Sequence, residues 1–88
     1  MAWRIEFVPA AAKKLKKLGT AESARIIATL EDRIALLDDP RTLGSALTGD
    51  LGLWRWRIGD YRVVARIEDE RITILIVRVA HRRNVYRR

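Results

Sequence analysis

Apolar and polar positions alternate between residues 53 and 67, on both sides of Gly59-Asp60. Gly-Asp suits a two-residue turn, so the pattern predicts a β-hairpin in which Ile58 faces Tyr61. Side chains change faces at each step along a strand. One face is therefore apolar, with Trp54, Trp56, Ile58, Tyr61, Val63 and Ala65, and the other face, which we call the arginine face, carries Arg55, Arg57, Arg62 and Arg66.

The first forty residues predict a strand followed by a helical hairpin. Residues 2–8 alternate between apolar and polar side chains, as a half-buried strand does. Pro9 suits the start of a helix and Gly19 its C-terminal cap, after which Thr20 can cap a second helix that ends at residues 38–40. The apolar positions assigned to the two helices are Ala11, Leu15 and Leu18, then Ala24, Ile27, Leu30, Ile34 and Leu37.

The rest of the chain predicts a loop and a further strand beside the hairpin. Residues 39–53 hold three glycines and few apolar side chains, so a connecting loop is expected. Residues 72–79 form an apolar run after a turn at Asp69-Glu70. If that turn has two residues, the apolar face gains Ile72, Ile74 and Ile76, and the arginine face gains Thr73, Leu75, Val77 and Val79. The expected fold is α+β, a single domain over residues 1–88 of order β-α-α-β-β-β, with an antiparallel sheet packed on the helical hairpin.

Charge is distributed unevenly along the chain. The sequence has 18 Lys or Arg and 11 Asp or Glu among 88 residues, a net charge of +7. Residues 1–53 contribute +1 and residues 54–88 contribute +6, and every basic residue of the second range is arginine. Arginine binds phosphate bidentately and stays charged, so nucleic acid or an acidic protein is the favoured partner. A solvated basic surface that keeps a small protein soluble is the alternative interpretation.

Arg57 and Arg62 are predicted to lie directly across the hairpin from each other. Like charges at opposed positions destabilise a sheet. A fold has no need of that arrangement, whereas a site that binds a phosphate does. The arginine face is therefore the candidate functional surface, and an ordinary solvated sheet face is the alternative.

Residue counts exclude several classes of site. The chain has no cysteine and one histidine, so disulfides and thiolate metal sites are excluded and no metal or other cofactor is expected. No apolar run is long enough for a signal peptide or a membrane span, so a cytoplasmic protein without membrane contact is expected.

Short motifs in a fixed order carry a family resemblance. Asp39, Pro40 and Arg41 follow the helices, and residues 47–62 read L-x-G-D-L-x-L-W-R-x-R-x-G-D-Y-R. Residues 79–86 then read V-x-H-R-R-x-V-Y. Together these motifs resemble the RelE group of the RelE/ParE toxin superfamily, and the resemblance covers essentially the whole chain.

This resemblance implies a RelE-like (microbial RNase-like) fold and a toxin of a type II toxin–antitoxin system. Typical RelE members enter the ribosomal A site and cut mRNA there, which makes mRNA and rRNA expected partners. A cognate RelB-like antitoxin is implied as the neutralising partner, with operator DNA bound only through the toxin–antitoxin complex. The alternatives are a ParE-like toxin that poisons DNA gyrase and a RelE-fold homologue that binds antitoxin or nucleic acid without catalysis.

The resemblance also assigns residues on the hairpin. The family's basic pair on the first hairpin strand falls on Arg55 and Arg57, where well-studied members carry lysine. Its arginine after the turn falls on Arg62. An arginine in a protein does not lose its proton, so these residues cannot act as the base. The hypothesis is that they clamp the scissile phosphate and neutralise its developing charge.

The remaining candidate residues lie at the end of the chain. The basic residue at the end of the last strand falls on Arg82, which would assist the clamp, and the family's C-terminal tyrosine falls on Tyr86. His81 lies beside Arg82, and with Tyr86 it is suited to proton transfer. Tyr86 can instead stack on a base or anchor the tail, and His81 can be a surface polar residue at a strand end.

Overall fold

The structure, a computed structural model, describes residues 2–47 and 52–81. In chain order its elements are β1 (Arg4–Phe7), α1 (Pro9–Lys17), α2 (Thr20–Thr29), a π-helical turn (Leu30–Ile34), a 3-10 turn (Pro40–Leu43), β2 (Ser45–Ala46), β3 (Leu53–Ile58), β4 (Tyr61–Glu68), a second 3-10 turn (Asp69–Arg71) and β5 (Thr73–His81). No helix in these two ranges is both long enough and apolar enough to cross a bilayer.

The strands form one sheet in the order β1-β5-β4-β3-β2. The predicted α+β class is confirmed, but two features of the sheet differ from the expectation. Strand β1 pairs in parallel with β5, so the sheet is mixed rather than antiparallel. Strand β2 lies within the expected loop and pairs antiparallel with β3. Parallel pairing is open to β1 because the helices, and not a tight turn, separate it from its partner.

The hydrophobic core lies between the apolar face of the sheet and the two helices. Its largest fully buried side chains are Ile26 and Leu30 from the helical layer and Trp56, Val63, Ile74 and Ile76 from the sheet. Each such aliphatic side chain stabilises the fold by about 1.5–3 kcal/mol through leaving water. The predicted apolar face of the hairpin is confirmed, since all six of its residues belong to this core or pack against it.

The second helix buries Leu30 and Ile34 and packs Ile27 against the core, as predicted, but it differs from the prediction at Ala24 and Ile26. Ile26 is fully buried and Ala24 is exposed, because Ile26, Leu30 and Ile34 together offer more apolar surface to the sheet. Thr20 is the first helical residue and not the cap, a position that Gly19 takes at φ 93° without a side-chain hydrogen bond. The helix then ends in a π-turn, which a 3.6-residue period does not predict.

The β3–β4 hairpin has the predicted register. Ile58 faces Tyr61 across the turn, and Arg57 is the direct cross-strand partner of Arg62. Gly59 has φ 60°, as the first position of a two-residue hairpin turn requires.

The connection between β4 and β5 is longer than predicted. Residues 69–71 form a 3-10 turn, Ile72 follows in the left-handed conformation, and Thr73 then faces Glu68. The predicted two-residue turn at Asp69-Glu70 is therefore wrong. Ile72 is 39% exposed instead of joining the core.

A β-bulge in β5 changes which residues reach the arginine face. The register of β4 and β5 shifts by one residue at Val77, which has no partner in β4. Beyond this bulge Arg78 faces Val64 on the arginine face, while Val79 faces Val63 in the core and is 3% exposed. The prediction that Val79 lies on the arginine face is wrong, because it assumed an uninterrupted strand.

Candidate functional site

Cross-strand pairing arranges the arginine face in rows that run across β3, β4 and β5. From the hairpin turn outward, the rows are Arg57 with Arg62 and Ala80, then Arg55 with Val64 and Arg78, then Leu53 with Arg66 and Leu75. The three predicted phosphate-binding residues of the hairpin thus share one face, in two adjacent rows. Arg66 lies on the same face in the third row, and Arg78 from β5 joins these four as a fifth arginine.

The opposed pair Arg57 and Arg62 combines an exposed and a buried guanidinium-bearing side chain. Direct cross-strand partners have Cβ atoms about 4.5–5.5 Å apart, so the two side chains begin side by side. Arg57 is exposed, whereas Arg62 is only 5% exposed. A buried arginine is held in few conformations, so Arg57 is the accessible cation of the pair and Arg62 is the fixed one.

Acidic side chains neutralise the arginines at the end of the sheet that lies away from the Gly59-Asp60 turn. Arg71 forms ion pairs with Glu6 and Glu68, and Arg4 lies 3.7 Å from Glu6. The hydrogen bonds and charges of these two carboxylates raise the pKa of Arg71, Glu6 contributing more. This end of the face is therefore a mixed-charge structural surface and not an anion site.

Arg41 forms a second structural cluster, at the loop before β2. Its guanidinium donates to both carboxylate oxygens of Asp69, at 3.2 and 2.8 Å, and to Asp39 at 3.2 Å. These bonds hold the pKa of Asp69 below its ordinary value, because they stabilise the charged carboxylate. The Arg41 guanidinium also lies 5.8 Å from the centre of the Trp54 ring. The loop is thereby tied to the β4–β5 turn.

Four other arginines of the sheet differ from these in their described partners. Arg55 donates a 3.4 Å hydrogen bond to the hydroxyl of Ser45, a neutral partner. Within residues 2–47 and 52–81, the carboxylate ion pairs involve Arg4, Arg41 and Arg71 and none of Arg55, Arg57, Arg66 or Arg78. Among the described residues, the positive charge of these four arginines is thus not offset by an ion pair.

His81 lies on the opposite side of the sheet from the arginines. It is the cross-strand partner of Tyr61, and the two rings meet edge to face with their centroids 5.2 Å apart. Arg62, one residue further along β4, projects to the other face by the alternation of the strand. The structure thus does not bring His81 together with the arginines on their own face. Arg82 and Tyr86, the two remaining predicted site residues, lie outside the described residues.

Arg78 is the residue that sequence reasoning missed. It stands in an apolar run, Ile76-Val77-Arg78-Val79, that shows no alternation from which a register can be derived. The available signal was the charge itself, since a lone arginine inside such a run must reach either solvent or a ligand.

The arrangement suits the binding of a phosphate and does not itself supply a base. Several guanidinium groups on one face can donate paired hydrogen bonds to phosphate oxygens and neutralise their charge. None of them can accept a proton at neutral pH. In the described parts of the chain, no three His, Asp or Glu side chains lie together in an arrangement that could bind a metal ion.

Comparison with known proteins gives the family. Residues 5–86 match the family described as the ParE toxin of the type II toxin–antitoxin system parDE. The chain is similar to toxin RelG of Mycobacterium tuberculosis, with 35% identity over an alignment of 91 positions that covers 100% of both proteins. It is also similar to toxin RelE of the same organism, with 39% identity over 79 residues that cover 77% of this chain and 81% of RelE.

A solved structure shows the same fold. The structure superimposes with a TM-score of 0.81 on a chain of the toxin–antitoxin complex RelBE2 from Mycobacterium tuberculosis, at 29% identity and with 92% of each chain covered. Family match, relatives and fold agree with the resemblance that the motifs indicate. The chain belongs to the RelE/ParE superfamily of type II toxin–antitoxin toxins, as a RelE-type member.

Proposed function

We propose that residues 1–88 act as one toxin domain, a metal-independent and ribosome-dependent mRNA endonuclease that arrests translation in the cytoplasm. The observation that carries this proposal is the opposed pair of Arg57 and Arg62 on a face whose neighbouring arginines lack carboxylate partners in the described chain. Such a face is unfavourable for folding alone and favourable for holding a phosphodiester.

The arginines would act on the phosphate during cleavage. Attack of a ribose 2′-hydroxyl on the adjacent phosphorus adds negative charge to the non-bridging oxygens. Arg57 and Arg62 would donate hydrogen bonds to those oxygens and stabilise that charge more strongly in the transition state than in the bound substrate. Arg55 lies in the next row and, with Arg82, would hold the same phosphate. The products would be a 2′,3′-cyclic phosphate and a free 5′-hydroxyl.

Proton transfer needs a group outside the arginine set. We assign it to Tyr86, because guanidinium groups placed beside a tyrosine would lower the pKa of its phenol toward the working range. His81 is the second candidate, and its pairing with Tyr61 on the opposite face counts against it. The assignment predicts that activity depends on Tyr86 more than on His81.

The proposed regulator is a RelB-like antitoxin. The chain aligns over 92% of its length with a chain of a solved toxin–antitoxin complex. An acidic or partly disordered antitoxin segment would fold on this small basic domain and deny RNA access to the arginine face. Operator DNA would then be bound only by the complex, through the antitoxin.

An in vitro cleavage assay tests the proposal. Purified toxin is added to ribosomes programmed with mRNA in the A site, with free mRNA and with chelator-treated ribosome complexes as parallel samples. Ends are mapped by primer extension. We expect cuts within the A-site codon, only when ribosomes are present and at an unchanged rate with a chelator that spares ribosome integrity. Intact mRNA in every sample, from a chain that still arrests growth, would reject the endonuclease and direct attention to DNA gyrase.

A further inference from the structure

The β-bulge at Val77 moves the side chain of Arg78 to the arginine face. Without the extra residue, the alternation of β5 would place Val77 and Val79 on the arginine face and Arg78 on the core face. With it, Arg78 takes the outer position in the row of Arg55 and Val64, and Val79 enters the core. Bulges are common beside active sites, where they redirect a side chain. The bulge thus places one additional positive charge on the arginine face.

Arg78 is exposed and forms no ion pair with a carboxylate of the described residues. Arg71 on the preceding turn, in contrast, has two such partners. Adjacent strands are about 4.7–4.9 Å apart, so Arg78 and Arg55 stand two strand spacings apart with the apolar Val64 between them. The opposed pair of Arg57 and Arg62 lies in the neighbouring row. Arg78 therefore flanks the proposed phosphate clamp on its β5 side.

A groove continues from Arg78 along the edge of β5. Strand β1 pairs with β5 only as far as Ile76, so the edge beyond it faces α1 instead of a strand. The space between them is a groove of about 270 Å³, lined by Ala10, Ala11, Lys14, Val77, Arg78, Val79 and Ala80. Lys14 is the second cation of this groove and is half-buried, unlike its neighbour Lys13, which is exposed on the same helix.

We infer that Arg78, with Lys14 beyond it, binds the RNA backbone on the β5 side of the scissile phosphate. RNA held at Arg57 and Arg62 would cross β5 at Arg78 and leave the protein through the groove beside α1. This inference rests on the proposed function for the identity of the ligand. Because both residues lie beyond the clamp, they position the RNA and do not touch the reacting atoms. Their loss raises KM and leaves kcat largely unchanged.

Salt dependence of RNA binding is the direct test, since it counts phosphate contacts. The probe is a fluorescein-labelled RNA dodecamer with 2′-O-methyl groups at every ribose, which cannot undergo attack by a 2′-hydroxyl. Binding to the purified full chain is followed by fluorescence anisotropy from about 50 to about 200 mM salt. We expect Arg78→Gln to weaken binding about threefold to tenfold at the low-salt end and to reduce the salt slope by about 0.7. Arg78→Lys, which keeps the charge, should retain the slope.

Two matched controls separate a specific contact from the loss of any positive charge. Arg4 lies on the same sheet face at the ion-paired end, and its side chain is 71% exposed. Arg4→Gln therefore removes an equal charge away from the proposed path of the RNA past Arg78 and Lys14, which we call the RNA track. Lys13→Gln is the control for Lys14→Gln on the same helix. Equal slopes for Arg78→Gln and Arg4→Gln would overturn the inference at Arg78, and equal slopes for the two lysine variants would overturn it at Lys14.

The binding assay needs no cleavage, so the two proposals fail separately. If Arg78→Gln reduces the salt slope while the native chain cuts no mRNA, the RNA track stands and the endonuclease fails. If the native chain cuts mRNA on ribosomes and Arg78→Gln changes neither the salt slope nor KM, the endonuclease stands and the track is rejected.

Discussion

The indole nitrogen of Trp56 donates a hydrogen bond to the carbonyl oxygen of Pro40, 3.0 Å away in the protein interior. Trp56 lies between Arg55 and Arg57 along β3, with its side chain on the core face. The bond joins the 3-10 turn that begins at Pro40 to the strand that carries two arginines of the candidate site. The arginine face is thus supported from beneath by a buried polar contact.

Replacement of Trp56 by phenylalanine tests this support. The change removes the donor, leaves the Pro40 carbonyl without it and vacates part of the indole volume. We expect the free energy of unfolding to fall by about 1–3 kcal/mol, measured by urea denaturation. Trp3→Phe is the matched control, since Trp3 is half-buried and its indole nitrogen donates a longer bond, 3.4 Å, to the backbone carbonyl oxygen of Asp38. Equal losses for the two variants would contradict a special role for the Trp56 bond.

Gly44 is required for space and not for backbone conformation. Its φ of −116° is open to any residue, but a Cβ there would lie 2.9 Å from the Trp56 indole nitrogen and 3.0 Å from the Arg55 carbonyl oxygen. We expect Gly44→Ala to destabilise the protein by about 1–3 kcal/mol through overpacking. Thermal unfolding followed by circular dichroism measures the effect. The control is Ser45→Ala at the neighbouring exposed position, which should change the stability little. An equally small effect of Gly44→Ala would contradict the close approach of its Cβ to Trp56 and Arg55.

The ion pair between Arg41 and Asp69 predicts a pH dependence of stability. Its hydrogen bonds hold the folded-state pKa of Asp69 below the unfolded-state value. The stabilisation is therefore fully present above the unfolded-state pKa and is lost as pH falls through the folded-state pKa. We expect Asp69→Asn to lower the urea midpoint at about pH 7 and to have a progressively smaller effect between about pH 5 and about pH 2.5.

The matched control for this titration is Glu70→Gln. Glu70 is exposed on the same turn and forms no ion pair with any described residue. Its substitution should change the urea midpoint little across the same range. An effect of Asp69→Asn that stays constant down to the acid end would show that the destabilisation has another origin.

Alternation around a tight turn made the hairpin predictable from the sequence. Gly59-Asp60 fixes which residues face each other, so the pairing of Arg57 with Arg62 follows from counting. The segment from Ile72 to Val79 offers no such constraint, because apolar side chains stand at positions that reach both faces. With the bulge at Val77, Val79 packs in the core beside residues of the helices, and no local pattern indicates that contact.

Features that depend on long-range contacts could not be predicted from the sequence either. The parallel pairing of β1 with β5 joins residues almost seventy positions apart, and no local signal marks it. The two-residue strand β2 forms because the edge of β3 is available to it. Ile26 displaces Ala24 from the core because the larger side chain fills the space above the sheet. Within the candidate site, only the positions of the residues on the β3–β4 hairpin could be predicted from the sequence.

The position of His81 leads to a prediction about proton transfer. Because His81 packs against Tyr61 on the face opposite the arginines, we expect His81→Gln to lower the rate of mRNA cleavage less than about tenfold. Tyr86→Phe should lower it by about a hundredfold or more, as loss of a group in general acid–base catalysis does. Single-turnover rates on programmed ribosomes measure both. A larger loss for His81→Gln than for Tyr86→Phe would reverse the assignment.

The most direct test of the account measures cleavage by variants of the opposed arginine pair. Single-turnover rates on ribosomes with mRNA in the A site are compared for the native chain, Arg57→Gln, Arg62→Gln and the control Arg4→Gln. Circular dichroism first establishes that each variant is folded, which matters most for the buried Arg62. The account predicts a loss of about a hundredfold for each of the two hairpin variants and a near-native rate for Arg4→Gln. Native rates for both folded hairpin variants would contradict it.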